Sequence, residues 1–171
     1  KKSKIETLCV HEGQLEDLQN KGAISPLYMA TAYAFDDVEV NRYPRYFNTP
    51  NQVGLAKKIA ALEGAEQGLI FGSGMAAIST ALLSHLKSGD HIVLQADLYG
   101  GTTNLIVEEF DKFGIAYTFS PSLLASDMEV LIQPNTKLIF IETPSNPLMK
   151  NVDLEAVASM AKRRGLVSMI D

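Results

Sequence analysis

The chain has 171 residues, of which 46% are hydrophobic and 20% charged; that is enough apolar material for one ordinary core, and it excludes both a disordered tail and a disulfide-stapled miniprotein. Fifteen Lys and Arg against twenty Asp and Glu leave a net charge of −5, which offers no field to a polyanion, so no nucleic acid is expected as a partner. Cys9 is the single cysteine, which rules out an internal disulfide and a cysteine-based zinc site and fits a reducing compartment; the chain is expected to be cytoplasmic.

Lys1, Lys2, Ser3 and Lys4 open the chain, but Glu6, His11, Glu12, Glu16 and Asp17 stand where a signal peptide needs an apolar run. Up to residue 51, Pro26, Pro44 and Pro50 and the aromatics Tyr28, Tyr33, Phe35, Tyr43, Tyr46 and Phe47 follow neither helical nor alternating periodicity. Residues 1–51 are therefore expected to be an extended arm that lies on its own domain or on a neighbouring subunit, which points to oligomerisation. From Gln52 the pattern is regular: Val53, Ala56, Ile59, Ala60 and Leu62 form a helical stripe that Gly64 ends. Strands are expected at Gly68–Phe71, His91–Gln95, Ile115–Phe119, Leu138–Glu142 and Leu166–Ile170. Helices are expected between them at Met75–Lys87, Thr102–Phe113, Ala125–Ile132 and Leu154–Arg164. This alternation predicts an α/β domain over 52–171 with a mainly parallel sheet and crossover helices. Gln67 to Leu86 carry no formal charge, yet Gly72, Ser73, Gly74, Ser79 and Thr80 interrupt the run, and no membrane span is expected.

Ligands of such a sheet gather at the carboxyl ends of its strands. The residues placed there are Gly72, Ser73 and Gly74; Asp97, Tyr99 and Gly100; Ser120 and Pro121; Thr143 to Asn146; and Asp171. Gly72, Ser73, Gly74 and Met75 sit at a strand-to-helix junction, where unpaired N–H groups and the helix dipole favour a phosphate. A plain tight turn fits that tripeptide equally well. Gly72, Gly74 and Ala77 also match a dinucleotide fingerprint, with Asp97 as the ribose acceptor, so an NAD(P)-binding oxidoreductase domain is one alternative and a non-catalytic assembly module another. Taken together, an anion nest, an aromatic ring, an amide and a carboxylate suit pyridoxal 5'-phosphate (PLP) better than a dinucleotide. His11, His85 and His91 lack metal-ligand spacing, and no metal is expected.

The run from Gly68 to Ala77, the sequence LYGGT at Leu98–Thr102, IETPSNP at Ile141–Pro147 and the terminal Asp171 resemble the Cys/Met-metabolism family of PLP-dependent enzymes. That family includes cystathionine gamma-synthase, cystathionine beta- and gamma-lyases, methionine gamma-lyase and O-acylhomoserine sulfhydrylases. The resemblance implies the large domain of a fold-type I PLP-dependent transferase, incomplete here and without the small C-terminal domain. It implies that Ser73, Gly74 and Met75 bind the cofactor phosphate, that Tyr99 stacks on the ring, that Asn146 bonds the phenolic oxygen, and that Asp171 pairs with the pyridine nitrogen. Tyr99 and Asp171 are the residues it makes catalytic. It further implies that Tyr43 and Arg45 reach the phosphate of a neighbouring subunit, in a homotetramer built from dimers with shared active sites.

The implied substrate is a sulfur-containing or O-acylated amino acid, cystathionine or an O-acylhomoserine, undergoing beta- or gamma-elimination or gamma-replacement. Methionine gamma-lyases carry a cysteine where Gly101 stands, which disfavours that specificity. Two departures are visible. The family reads Asn-Pro-Thr where this chain reads Asn48, Thr49, Pro50, and its cofactor-linking lysine lies beyond the position matching Asp171. Lys57, Lys58, Lys87, Lys112 and Lys162 are expected on helices, and Lys137 and Lys150 beside loops, so none replaces it. The chain is thus expected to be the N-terminal half of an enzyme, inactive by itself.

Overall fold

A computed structural model describes residues 3–171, and the chain divides into two compact units, one ending at Phe71 and the other running from Gly72 to Asp171. In the first unit, helix α1 spans Ile5–His11 and helix α2 spans Pro50–Leu62, with a 3-10 turn at Pro44–Tyr46 before α2. The rest of the arm is irregular, but α1 is a helix that the absence of periodicity did not announce. The start of α2 follows from its sequence: Thr49 is extended, Pro50 occupies the first helical position, and the Gln52 side chain accepts from the Thr49 N–H at 3.1 Å and the Thr49 hydroxyl at 2.7 Å. Asn51 ties the arm to this helix end, accepting from the Tyr28 N–H at 2.9 Å and donating to the Pro26 carbonyl at 3.2 Å.

Gly68–Phe71, expected as a strand, is not one. A strand exists by pairing, and none of the described strands pairs with this run. It lies against α2 instead: a Cβ on Gly68 would fall 2.7 Å from the Ala56 carbonyl oxygen, an approach that only glycine permits.

The second unit carries β1 (His91–Gln95), β2 (Ala116–Ser120), β3 (Thr136–Ile141) and β4 (Val167–Ile170), all parallel, in the order β2-β1-β3-β4. The connecting helices are α3 (Gly74–His85), α4 (Gly100–Glu109), α5 (Ala125–Glu129) and α6 (Leu154–Arg164). The predicted α/β sheet with crossover helices is therefore present, with four strands where five were expected. The period-2 geometry of strands sorts their side chains into two cores. Ile92, Leu94, Leu138 and Phe140 pack with Leu82 of α3 and Ile106 of α4, while Val93, Ile139 and Ile141 pack with Met128 of α5 and Val157 and Met160 of α6. Apolar residues on both faces of β1 and β3 are what a parallel sheet covered on both sides requires.

Helix ends differ modestly from expectation. The predicted helix 102–113 starts at Gly100, stops at Glu109 and tightens into a 3-10 turn at Asp111–Phe113 before Gly114, whose φ of 68° suits glycine. The Asp153 carboxylate caps α6 by accepting from the Ala156 N–H at 3.0 Å, and Arg164 donates to Glu129 at 2.7 Å, tying α6 to α5. Lys87 lies just beyond α3, and Lys137 lies within β3, exposed.

Candidate active site

Ser73 is the N-cap of α3, and its hydroxyl oxygen accepts from the Ala76 N–H at 3.1 Å. That satisfies one of the helix's orphan donors and leaves the N–H groups of Gly74 and Met75 available at its positive end. A Cβ on Gly74 would meet nothing within 4 Å, so that side of the turn is open. Met75 links this turn to the next one. Its sulfur lies 3.9 Å from the Thr102 hydroxyl and would lie 3.1 Å from a Cβ on Gly101.

Tyr99 follows the carboxyl end of β1 as the N-cap of α4, with a half-exposed side chain. Its ring lies over Gly101: an added Cβ there would come within 2.5 Å of Tyr99 Cε1. Glycine at 101 is thus what allows this ring position beside the α3 turn. Asn146 lies on the loop after β3, exposed, and its side-chain amide has no hydrogen-bond partner among the described residues. Asp171 follows β4; its N–H donates to the Ile141 carbonyl at 2.9 Å and its carbonyl accepts from the Thr143 N–H at 3.2 Å. Because β1, β3 and β4 are parallel, Tyr99, Asn146 and Asp171 all emerge at the same edge of the sheet. The structure therefore brings Ser73, Gly74, Met75, Tyr99, Asn146 and Asp171 to one end of the second unit.

The electrostatics of that end are acidic. Partial burial, and then the charge of Glu142, push the Asp171 carboxyl above the ordinary carboxylate range. No lysine, arginine or histidine is paired with Asp171 among the described residues. A carboxylate so placed favours a cationic partner, and a protonated pyridine nitrogen is one. With free helix N–H groups for a phosphate and a ring for stacking, this donor set fits PLP.

Two residues that sequence reasoning passed over hold the edge together. The Gln95 side chain donates to the carbonyls of Asp97 at 2.7 Å and Glu142 at 2.9 Å, and accepts from the Glu142 N–H at 3.0 Å. The Glu142 carboxylate accepts from the Tyr99 N–H at 2.6 Å and the Asn146 N–H at 3.2 Å. A polar residue closing each of two apolar runs was the available signal. The dinucleotide alternative loses both of its supports: its fingerprint needs a strand before Gly72, and Asp97 is engaged by Lys150 rather than open to a ribose.

Tyr43 and Arg45 belong to the first unit. The Arg45 guanidinium stands 6.0 Å from the centre of the Tyr43 ring, which meets Tyr46 edge-on. Asn48 shapes this loop by accepting from the Tyr43 N–H at 2.9 Å and donating to the Asn41 carbonyl at 2.8 Å. The Thr49–Pro50 order, which departs from the family pattern, supplies the start of α2. Among the described residues no group of His, Cys, Asp and Glu could hold a metal ion, and no helix is long and apolar enough to cross a membrane.

The chain is 40% identical over 171 residues to cystathionine beta-lyase from Bacillus subtilis and 39% identical over 171 residues to cystathionine gamma-lyase from the same organism, in both cases over 98% of its own length. It covers 43% and 45% of those two proteins, so it spans less than half the length of these curated relatives. The crystal structure of cystathionine gamma-lyase from Lactobacillus plantarum complexed with L-serine superposes with a TM-score of 0.90 at 36% identity, covering 99% of this chain and 44% of that one. Residues 6–171 match the family described as Cys/Met metabolism PLP-dependent enzyme, and the chain belongs to that PLP-dependent family.

Proposed function

We propose that the intact protein carrying this chain is a PLP-dependent trans-sulfuration enzyme that acts on cystathionine or an O-acylhomoserine by beta- or gamma-elimination or gamma-replacement. The observation that carries this reading is the convergence of Ser73–Met75, Tyr99, Asn146 and Asp171 at one end of the second unit, with no cationic side chain paired to Asp171 among the described residues. When bound, PLP supplies the electron sink that lets a beta or gamma substituent leave an amino acid. In this reading the N–H groups of Gly74 and Met75 bind the phosphate, the Tyr99 ring covers one face of the cofactor, and the Asn146 amide donates to the phenolic oxygen. Asp171 holds a proton at the pyridine nitrogen. The absence of a cysteine at Gly101 favours cystathionine or O-acylhomoserine over methionine. Lys57, Lys58, Lys87, Lys112, Lys137, Lys150 and Lys162 do not fit the cofactor-linking role in this reading, so turnover is expected from the intact protein.

The test is spectroscopic and kinetic. The purified intact protein should bind PLP with a long-wavelength absorbance band and either release pyruvate or 2-oxobutyrate together with ammonia by elimination or, when given a thiol, form a thioether from an O-acylhomoserine as the acyl group leaves as a carboxylate. A nicotinamide chromophore, or no chromophore after PLP addition, would refute the reading.

A homotetramer of dimers with shared active sites is part of the same proposal. The arm leaves Leu18, Ile24, Leu27, Met29 and Phe35 exposed, and the buried Tyr33 hydroxyl has no partner among the described residues, which is unfavourable for an isolated chain. In this reading Tyr43 and Arg45 serve a neighbour's phosphate, for which the arginine fork is suited. Arg45→Ala in the intact protein is expected to weaken PLP binding about tenfold, the scale of one charge-assisted hydrogen bond. Mixed oligomers of this variant with one lacking the cofactor-linking lysine should regain part of the activity; no recovery in demonstrably mixed oligomers would count against sharing.

A further inference from the structure

Glu142 stands directly after β3, only 6% exposed, and no cationic side chain pairs with it among the described residues. Its main chain is clamped from both sides by the fully buried Gln95 side chain, at 3.0 Å through its N–H and 2.9 Å through its carbonyl. So fixed, its carboxylate reaches two loops at once, taking the Tyr99 N–H on Oε2 at 2.6 Å and the Asn146 N–H on Oε1 at 3.2 Å. An apolar side chain would fill the same space without desolvating a charge, so packing alone does not account for a carboxylate here.

We propose that Glu142 is a positioning residue, a buried carboxylate staple that holds the Tyr99 loop and the Asn146 loop in one fixed relation at the mouth of the site. This rests on the cofactor reading above. Tyr99 and Asn146 hang from the two stapled amides, so a loosened staple frees both a stacking ring and a donor amide, and preorganisation is lost. The Glu142 charge also lies near the Asp171 carboxyl, and together they form a negative pole that favours a protonated ring nitrogen.

The test uses the intact protein and two variants. Glu142→Gln keeps the shape and one acceptor oxygen but turns an NH2 group toward the other amide. Hydrogen exchange at the Tyr99 and Asn146 amides, which lie outside every helix and strand ladder, is expected to be slow in the unaltered protein and about tenfold faster or more in this variant. Its PLP dissociation constant should rise about tenfold or more, on the scale of one hydrogen bond to a charged group. The bound cofactor should also lose its protonated-ring absorbance at lower pH. Glu142→Asp retains the charge but falls one methylene short, so it should weaken PLP binding while keeping the absorbance pH profile.

Unprotected Tyr99 and Asn146 amides in the unaltered protein would overturn the proposal, and this measurement decides even if both variants fail to fold. A lower thermal midpoint in Glu142→Gln with PLP affinity and pH profile unmoved would also overturn it, reducing Glu142 to scaffolding. If the unaltered protein does not bind PLP, the cofactor reading fails, while the exchange data still judge the staple.

Discussion

Replacing Asp171 with Asn in the intact protein is expected to lower turnover on the order of 100-fold, the scale for removing one preorganised electrostatic group, while the fold and most of the PLP affinity survive. The asymmetry follows from what surrounds the carboxyl. Burial and the Glu142 charge raise its pKa, so without a cation the folded chain holds this proton more readily than a free aspartate does. A group whose folded pKa is raised contributes stability at low pH that is lost as pH rises through that pKa, so near neutrality the bare carboxylate is a destabilising element. Asn removes that cost. The cofactor-free variant should therefore unfold at the same temperature as the unaltered protein or slightly higher, while steady-state turnover collapses. A cationic ring nitrogen reverses the sign by pulling the carboxyl pKa down and raising its own. Titrating the absorbance of the bound cofactor against pH should then show the protonated ring persisting to higher pH with Asp171 than with Asn. Unchanged turnover in Asp171→Asn, with cofactor bound, would refute the role of Asp171.

Acid is expected to destabilise the second unit through His91, which is fully buried at the start of β1. Its Nδ1 meets the Thr136 hydroxyl at 2.7 Å, and its Nε2 meets the Thr118 hydroxyl at 2.9 Å and the Gln133 amide nitrogen at 3.2 Å. The Gln133 amide nitrogen can only donate, so the network assigns Nε2 as the acceptor and Nδ1 as the protonated nitrogen. Protonation would set a second N–H against that donor. Burial accordingly pushes the imidazole below its ordinary value of 6.5. A base with a lowered folded pKa binds its proton more readily when unfolded. Its contribution is complete above about pH 6.5 and is lost as pH falls toward the lower folded value, by up to about 1.4 kcal/mol per pH unit within that window. Urea unfolding from about pH 7 to pH 5 should reveal the loss. His91→Leu should flatten this slope but cost about 1–3 kcal/mol near neutrality, because the buried Thr136 hydroxyl and the part-buried Thr118 hydroxyl each lose a hydrogen-bond partner. A slope that persists in His91→Leu would assign the acid sensitivity elsewhere.

The alternating pattern by itself determined the architecture: His91–Gln95 and Leu154–Arg164 form their predicted strand and helix residue for residue. Such elements are legible because their periods of 2 and 3.6 depend on a buried face that local residue order already encodes. The parallel arrangement in turn placed Tyr99, Asn146 and Asp171 at one edge before any coordinates, since each follows a strand whose direction the crossover helices impose. The arm resisted this reading because α1 is seven residues long and buries none of them, too little for its apolar residues to stand out as a helical stripe. Gly68–Phe71 looked like a strand because apolar runs do, yet pairing is a property of the partner, and this run lies against α2 instead. Gln95 and Glu142 read as the polar ends of two strands; their clamp joins residues 47 apart, and only the adjacency of β1 and β3 creates it. The same holds for His91, whose partners lie 27, 42 and 45 residues away. Side-chain hydrogen bonds across strands carry no periodic signal, because they depend on register and rotamer, and these are decided by tertiary packing.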